Sequence, residues 1–276
     1  MIGVSLPITA RLARLGRAIR LRDWWHFLLL PFASASVGAQ GALARGVAIA
    51  FGILAFGYLV NGLSDRALDT DGLKNPLETG GPATDSGFAA ACFAALALAL
   101  ALSAPAAVTI ATATSLFAGT VYSIGPRLKR FPFVGTIAHA ACFAPMLWLS
   151  VPDDAPRPDL HVLGAIFAIL LLQNQLLHEA ADRLDDERGQ VRTTFRAIGR
   201  RASALLGAAL GATGAILAPH LALTIAMGAA FVILFPMALY LRGDDVRRMR
   251  TMRLAHRVAC IAAGGSVFGA LRLLGP

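Results

Sequence analysis

The chain holds 276 residues, 57% of them hydrophobic and only 15% charged, with a mean hydropathy of +0.65. Such proportions exclude an ordinary soluble domain and indicate an all-α integral membrane protein, read here as a single domain over residues 1–276. A net charge of +9 could suit a nucleic-acid partner, but no aromatic-interleaved basic surface or zinc-ligand spacing accompanies it, so the charge is assigned to membrane topology and no nucleic acid is expected.

The first 22 residues carry Arg11, Arg14, Arg17, Arg20 and Arg22 among Leu12, Leu15, Ile19 and Leu21, ahead of Trp24 and Trp25. That pattern reads either as a basic amphipathic helix lying on an anionic leaflet or as a plain topology anchor. It does not read as a secretory signal, because no short apolar core with a small-residue cleavage site follows. Crossing about 30 Å of hydrocarbon takes about 20 residues. Nine spans are predicted, at roughly 24–43, 46–64, 87–104, 106–123, 132–151, 160–180, 203–219, 221–241 and 258–275. With a cytoplasmic amino terminus, all but three of the 25 lysines and arginines (Arg45, Arg157 and Arg272) fall on the cytoplasmic side of these spans. Gly207, Gly211 and Gly214 predict close helix packing. Cys92, Cys142 and Cys260 are scattered through apolar segments and indicate neither a disulfide framework nor a metal site.

Two acidic clusters stand out, both on the predicted cytoplasmic side. Asn61, Asp65 and Asp69 are spaced four apart, so on a helix their amide and carboxylates share one face. Glu179, Asp182 and Asp186 repeat the arrangement at spacings of three and four. Stacked carboxylates repel one another unless a cation lies between them, and carboxylate and amide oxygens suit a hard divalent ion such as Mg²⁺. Two helix ends facing each other across a metal-bound anion are therefore expected; a single such carboxylate could equally be a solvated helix end. A third polar block, Tyr122 to Arg130, offers Arg127 and Lys129 as cations, and Lys74, Arg183, Arg188, Arg192 and Arg196 offer more. Each also fits a positive-inside loop.

Asn61, Asp65 and Asp69, followed by Lys74-Asn75-Pro76-Leu77 and Gly80, resemble the first signature of the UbiA-type intramembrane prenyltransferase superfamily. Asp182-Arg183-Leu184-Asp185-Asp186, with Gly189 and Thr193-Thr194, resembles its second, and Tyr122-Ser123 through Lys129 resembles the loop after the fourth helix. The resemblance implies nine helices around a central cavity under cytoplasmic cap loops, with Mg²⁺ ions gripping the diphosphate of an isoprenoid donor. On this sequence it makes Asn61, Asp65, Asp69, Asp182 and Asp186 the metal-site residues. It makes Lys74, Arg127 and Lys129 the diphosphate contacts, adds Arg183 to the substrate-binding residues, places Tyr122 beside the reacting carbon, and offers Glu179 as an extra ligand or acceptor contact. One departure is Asn75, which stands where relatives commonly carry arginine.

The expected reaction moves a prenyl group from a prenyl diphosphate to a small-molecule or lipid acceptor, an aromatic quinone precursor being the commonest kind. Metal ions and fixed cations stabilise the departing diphosphate, and apolar and aromatic walls shield the allylic cation from water. A terpene cyclase acting on donor alone is the alternative within the fold. A transporter is disfavoured, because its ionisable residues belong near the bilayer midplane.

Overall fold

A computed structural model describes residues 7–35, 39–66, 75, 77, 83–152, 158–242 and 245–274. Among them every regular element is helical. The chain divides into two compact units, the first made of residues 1–126 and 146–154 and the second of residues 127–145 and 155–276.

The first unit opens with α1 (Ile8–Ile19), whose Leu15, Ala18 and Ile19 pack on Leu59, Val60, Leu77 and Ala90. The Arg11 guanidinium leaves the helix to grip Asp85 through two hydrogen bonds of 2.6 and 2.5 Å. Arg20 takes a left-handed conformation (φ 56°) and starts the short α2 (Leu21–Trp24). There the buried Trp24 donates its indole N–H to the Ile19 carbonyl at 2.6 Å and meets Phe51 edge-on.

Next comes a 3₁₀ helix, Trp25–Ala33, and then α3 (Gln40–Asp65). The expected first span, 24–43, is thus not one helix along its length. Nine 3₁₀ residues cover about 18 Å, and Pro31 inside the segment has no backbone N–H to extend it. By contrast, the 26 residues of α3 reach about 39 Å, enough to cross a bilayer. Helix α4 (Ala83–Leu102) packs closely on α3 at Gly52, where a Cβ would lie 3.0 Å from the Phe93 carbonyl, and α5 (Ala106–Ser123) completes the group.

In the second unit, α6 (Val134–Phe143) runs into a 3₁₀ stretch, Ala144–Trp148, where the chain returns to the first unit. Helix α7 (Pro158–Arg188) has 31 residues and extends to about 46 Å, so roughly ten residues exceed the hydrocarbon thickness. Helix α8 (Thr194–Ile216) is broken at Gly199 (φ 77°, ψ 172°). Helix α9 (Leu221–Met227), a π-helical turn (Gly228–Leu234) and α10 (Phe235–Arg242) form one rod. The last helix, α11 (Val246–Leu274), starts twelve residues before the expected span at 258 and takes Arg247, Arg248, Arg250, Arg253 and Arg257 into its first turns.

Leu176, Leu177, Ala180, Phe195, Ala204, Phe235, Leu239 and Met249 make the apolar core of this unit. A buried polar clasp crosses it. The Gln173 amide donates to the Gly207 and Phe231 carbonyls at 2.7 and 2.8 Å, while its oxygen meets His256 Nε2 at 2.8 Å. Gly211 lies directly against the Phe231 carbonyl, the close packing that its small-residue spacing predicts.

Six helical rods among the described residues are long and apolar enough to cross a membrane: α3, 85–102, α5, α7, 221–240 and 246–271. The remaining three expected spans are built differently. Beyond the 3₁₀ segment Trp25–Ala33, the region 134–148 is a shorter apolar helix, and 203–219 is the apolar end of α8, whose first turns hold Arg196, Arg200 and Arg201.

Candidate functional site

Helix α3 ends in the first acidic cluster. Asn61 and Asp65 are half-buried and one turn apart, and Ser123 at the end of α5 donates its hydroxyl to Asn61 Oδ1 at 3.2 Å, fixing the amide. Ser64 caps the same turn, reaching the Asn61 carbonyl at 3.0 Å and Asp65 Oδ1 at 3.3 Å. Tyr122 precedes Ser123 on α5, half-buried.

Gly62 matters because a side chain there would push its neighbours back. A Cβ there would lie 3.2 Å from Leu77 Cδ1 and 3.3 Å from Asn75 Oδ1. Against this bare backbone Asn75 docks, 3% exposed, donating its amide to the Gly62 carbonyl at 2.9 Å and accepting from Leu77 N–H at 3.1 Å. The residue that stands in place of the family's arginine is therefore a buried tie between the loop and α3. Arg14 adds a bond to the Leu77 carbonyl at 3.3 Å. Asp69 and Lys74 lie outside the described residues.

In the second unit the acidic cluster lies past the apolar part of α7, with Asp182, Arg183 and Asp186 half-buried. His178, one turn earlier, places Nδ1 3.3 Å from Asp182 Oδ2. Arg196 of α8 donates to the Asp186 and Val191 carbonyls, satisfying the end of α7 where helix carbonyls lack internal partners. Arg183, Glu187, Phe195, Arg196, Gly199 and Arg200 line an open cleft of about 430 Å³ beside this corner.

Glu179 has a different setting. It is 5% exposed, and its carboxylate accepts from Thr136 Oγ1 at 3.0 Å, from Phe195 N–H at 2.8 Å and from Gln175 Nε2 at 3.5 Å. Thr136 in turn lies 2.6 Å from the Thr194 hydroxyl, which accepts from Phe133 N–H at 2.7 Å.

The cation loop belongs to the same unit. Arg127 adopts φ 51° and leads into a 3₁₀ turn, Leu128–Arg130, that carries Lys129. This turn rests on Gly135, where a Cβ would come within 2.8 Å of the Leu128 carbonyl and 3.0 Å of Lys129 Cα.

The donor sets suit Mg²⁺. Asn61 with Asp65, and Asp182 with Asp186, offer only hard oxygen atoms. Among the described residues no group of three or more His, Cys, Asp or Glu side chains is placed to hold a metal unaided. Mg²⁺ is commonly held this way, by one or two carboxylates with water and substrate phosphates completing the octahedron.

Residues 24–264 match the UbiA prenyltransferase family. The chain belongs to that family. Among curated proteins no relative matches it. Solved structures share its fold: a UbiA homologue from Archaeoglobus fulgidus bound to DMAPP and Mg²⁺ is 20% identical, with 93% of this chain and 99% of that one covered and a TM-score of 0.69. The same homologue bound to GPP and Mg²⁺ is 20% identical at the same coverage with a TM-score of 0.67. A structure described in work on digeranylgeranylglyceryl phosphate synthase is 14% identical, covering 94% and 97% of the two chains with a TM-score of 0.72.

Within this UbiA-family chain, sequence spacing put Asn61 over Asp65 and Asp182 over Asp186, and both pairs sit at helix ends as expected. It did not reveal Thr136, whose hydroxyl lies in the apolar stretch 132–151, nor His178. The latter did carry a signal, standing four residues before Asp182.

Proposed function

We propose that this UbiA-family protein transfers a prenyl group from a prenyl diphosphate to an aromatic acceptor of the quinone-precursor type, releasing diphosphate. The reading is carried by the family match, which takes in both α3 and α7 together with the paired oxygen donors at their ends. The homologue bound to DMAPP or GPP with Mg²⁺ supports the donor class and the metal.

Asn61, Asp65, Asp69, Asp182 and Asp186 are assigned as ligands for Mg²⁺, which when bound neutralises charge on the leaving diphosphate and orients it. Ser123 holds the Asn61 amide with its oxygen set, and Ser64 does the same for Asp65. Lys74, Arg127, Lys129 and Arg183 supply fixed positive charge to the diphosphate oxygens. Tyr122 offers a ring face to the allylic carbon as its bond to oxygen breaks and the electron pair leaves with diphosphate. The acceptor carbon then bonds to that carbon and gives up a proton, while apolar helices keep water from competing. The amino terminus and both acidic motifs are assigned to the cytoplasmic side, on the lysine and arginine asymmetry.

The test is diphosphate release by the purified protein from DMAPP, geranyl, farnesyl and geranylgeranyl diphosphates, with and without Mg²⁺ and a panel of aromatic acceptors, followed by mass spectrometry of the lipid products. Mg²⁺-dependent release that requires an aromatic acceptor and yields its prenylated adduct is the expected result. Release from donor alone with a cyclic product would replace transfer by cyclisation, and an adduct formed only with a lipid alcohol would replace the aromatic acceptor.

A further inference from the structure

We propose that Glu179 is a positioning residue: through Thr136 and Thr194 it fixes the loop bearing Arg127 and Lys129 relative to Asp182 and Asp186. The inference rests on the functional reading above for what the loop does, but the clasp stands on geometry within one compact unit.

With Glu179 ionised, the hydrogen bonds run in one direction. A backbone N–H can only donate and an ionised carboxylate can only accept. The chain therefore runs from Phe133 N–H to the Thr194 hydroxyl, from Thr194 to Thr136, and from Thr136 to Glu179 Oε1, with Phe195 N–H closing on Oε2. One carboxylate thereby joins the first turn of α6, the first turn of α8 and the last apolar turn of α7. Bonds that end on a carboxylate are stronger than neutral ones, and leaving such a group buried with a lost partner is costly.

What the chain holds in place is a strained turn. Phe133 has φ 61° and ψ −50°, and Val134 N–H bonds to the Pro132 carbonyl at 2.6 Å, which together make a γ-turn of the rare positive-φ kind. A bulky residue stays in such a conformation only where its surroundings over-determine it, and such residues gather at ligand clamps and active sites. Here Phe133 N–H is anchored by Thr194. Two residues on, Gly135 carries the Leu128–Lys129 backbone in van der Waals contact. The path from carboxylate to loop cations is thus continuous. Asp182 and Asp186 follow Glu179 on α7 by one and two turns, so the same residue indexes both the anionic and the cationic sides of the proposed diphosphate site.

The experiment uses the full-length protein in detergent with Thr136→Val, Thr136→Ser and Glu179→Gln. Valine keeps the shape and removes the hydroxyl, serine keeps the hydroxyl, and glutamine turns one acceptor into a donor facing either Thr136 or Phe195 N–H. Two readouts apply: kcat and KM for geranyl diphosphate, and amide hydrogen exchange of residues 127–136 and 193–198. The expected result is a loss of protection in both segments for Thr136→Val and Glu179→Gln, with α3 unchanged. Donor KM should rise more than kcat falls, and kcat/KM should drop between about tenfold and a hundredfold, the scale of a misplacement of about 1 Å. Thr136→Ser should keep wild-type values in both readouts. Unchanged exchange in Thr136→Val, or a serine variant as impaired as the valine one, overturns the proposal. A wild-type protein that releases no diphosphate refutes the functional reading instead, and the exchange comparison then decides the clasp alone.

Discussion

Gly135→Ala tests how tightly the cation loop is seated. The new methyl would lie 2.8 Å from the Leu128 carbonyl oxygen, 3.0 Å from Lys129 Cα and 3.2 Å from Lys129 C, all of them main chain. No side-chain rotation relieves such an overlap. Ordinary contact begins at 3.4 Å, so the loop must retreat by about 0.6 Å. Overpacking of this kind costs about 1–3 kcal/mol. Replacing glycine in a helix returns about 1 kcal/mol, which leaves a net destabilisation of up to about 2 kcal/mol. The larger effect falls on binding. A shift beyond about 0.5 Å exceeds what a preorganised site tolerates, and donor KM should rise about tenfold, equivalent to about 1.4 kcal/mol. Diphosphate release against donor concentration reads the KM, and a thermal melt in the same detergent reads the stability. Gly264→Ala is the control, since a Cβ there meets nothing within 4 Å. A Gly135→Ala protein with KM within about twofold of wild type and an unchanged melt would refute the seating of Lys129 on Gly135.

Asp65→Asn and Asp182→Asn should each lower Mg²⁺-dependent diphosphate release by about a hundredfold or more while the protein stays folded, and full activity in both would sink the metal assignment. Asn75→Arg, which restores the residue common in relatives, should weaken the protein rather than improve donor binding. The asparagine is 3% exposed and bonded on both sides, and an arginine would lose both bonds; a tighter donor KM with an unchanged melt would contradict this. Gln173→Leu removes two bonds to backbone carbonyls. It should cost about 1–2 kcal/mol, since interhelical hydrogen bonds in bilayers average about 0.6 kcal/mol each and His256 also loses its partner, and a melting temperature equal to wild type would count against the clasp.

Much of this was legible in the sequence where one side chain type recurs at helical spacing. Asn61 with Asp65, and Asp182 with Asp186, needed only the 3.6-residue turn. The basic loops were readable because charge is expensive in hydrocarbon and so marks the ends of spans. Hydropathy alone could not see that 25–33 winds as 3₁₀ around Pro31, or that α8 starts with three arginines before its apolar part, because it counts apolar residues without regard to backbone geometry. Asn75 looked like a lost arginine, and only its contact with Gly62 reveals a tie. Glu179 shared the spacing of the acidic face yet points its oxygens at Thr136 and Phe195, partners 43 and 16 residues away that no local pattern announces.

The π turn at Gly228–Leu234 has a consequence for how this chain can change in length. Such a turn packs one more residue into the helix than an α-helical path between the same ends would hold, so the flanking α9 and α10 keep their mutual phase despite the surplus. Losing a residue there would restore a regular helix and leave Phe235 and Leu239 facing the core. Losing one within α7 or α8 would rotate everything beyond it by about 100°. The rod from 221 to 242 is therefore a place where single-residue deletions should survive, at the expense of the carbonyl that Phe231 now presents to Gln173.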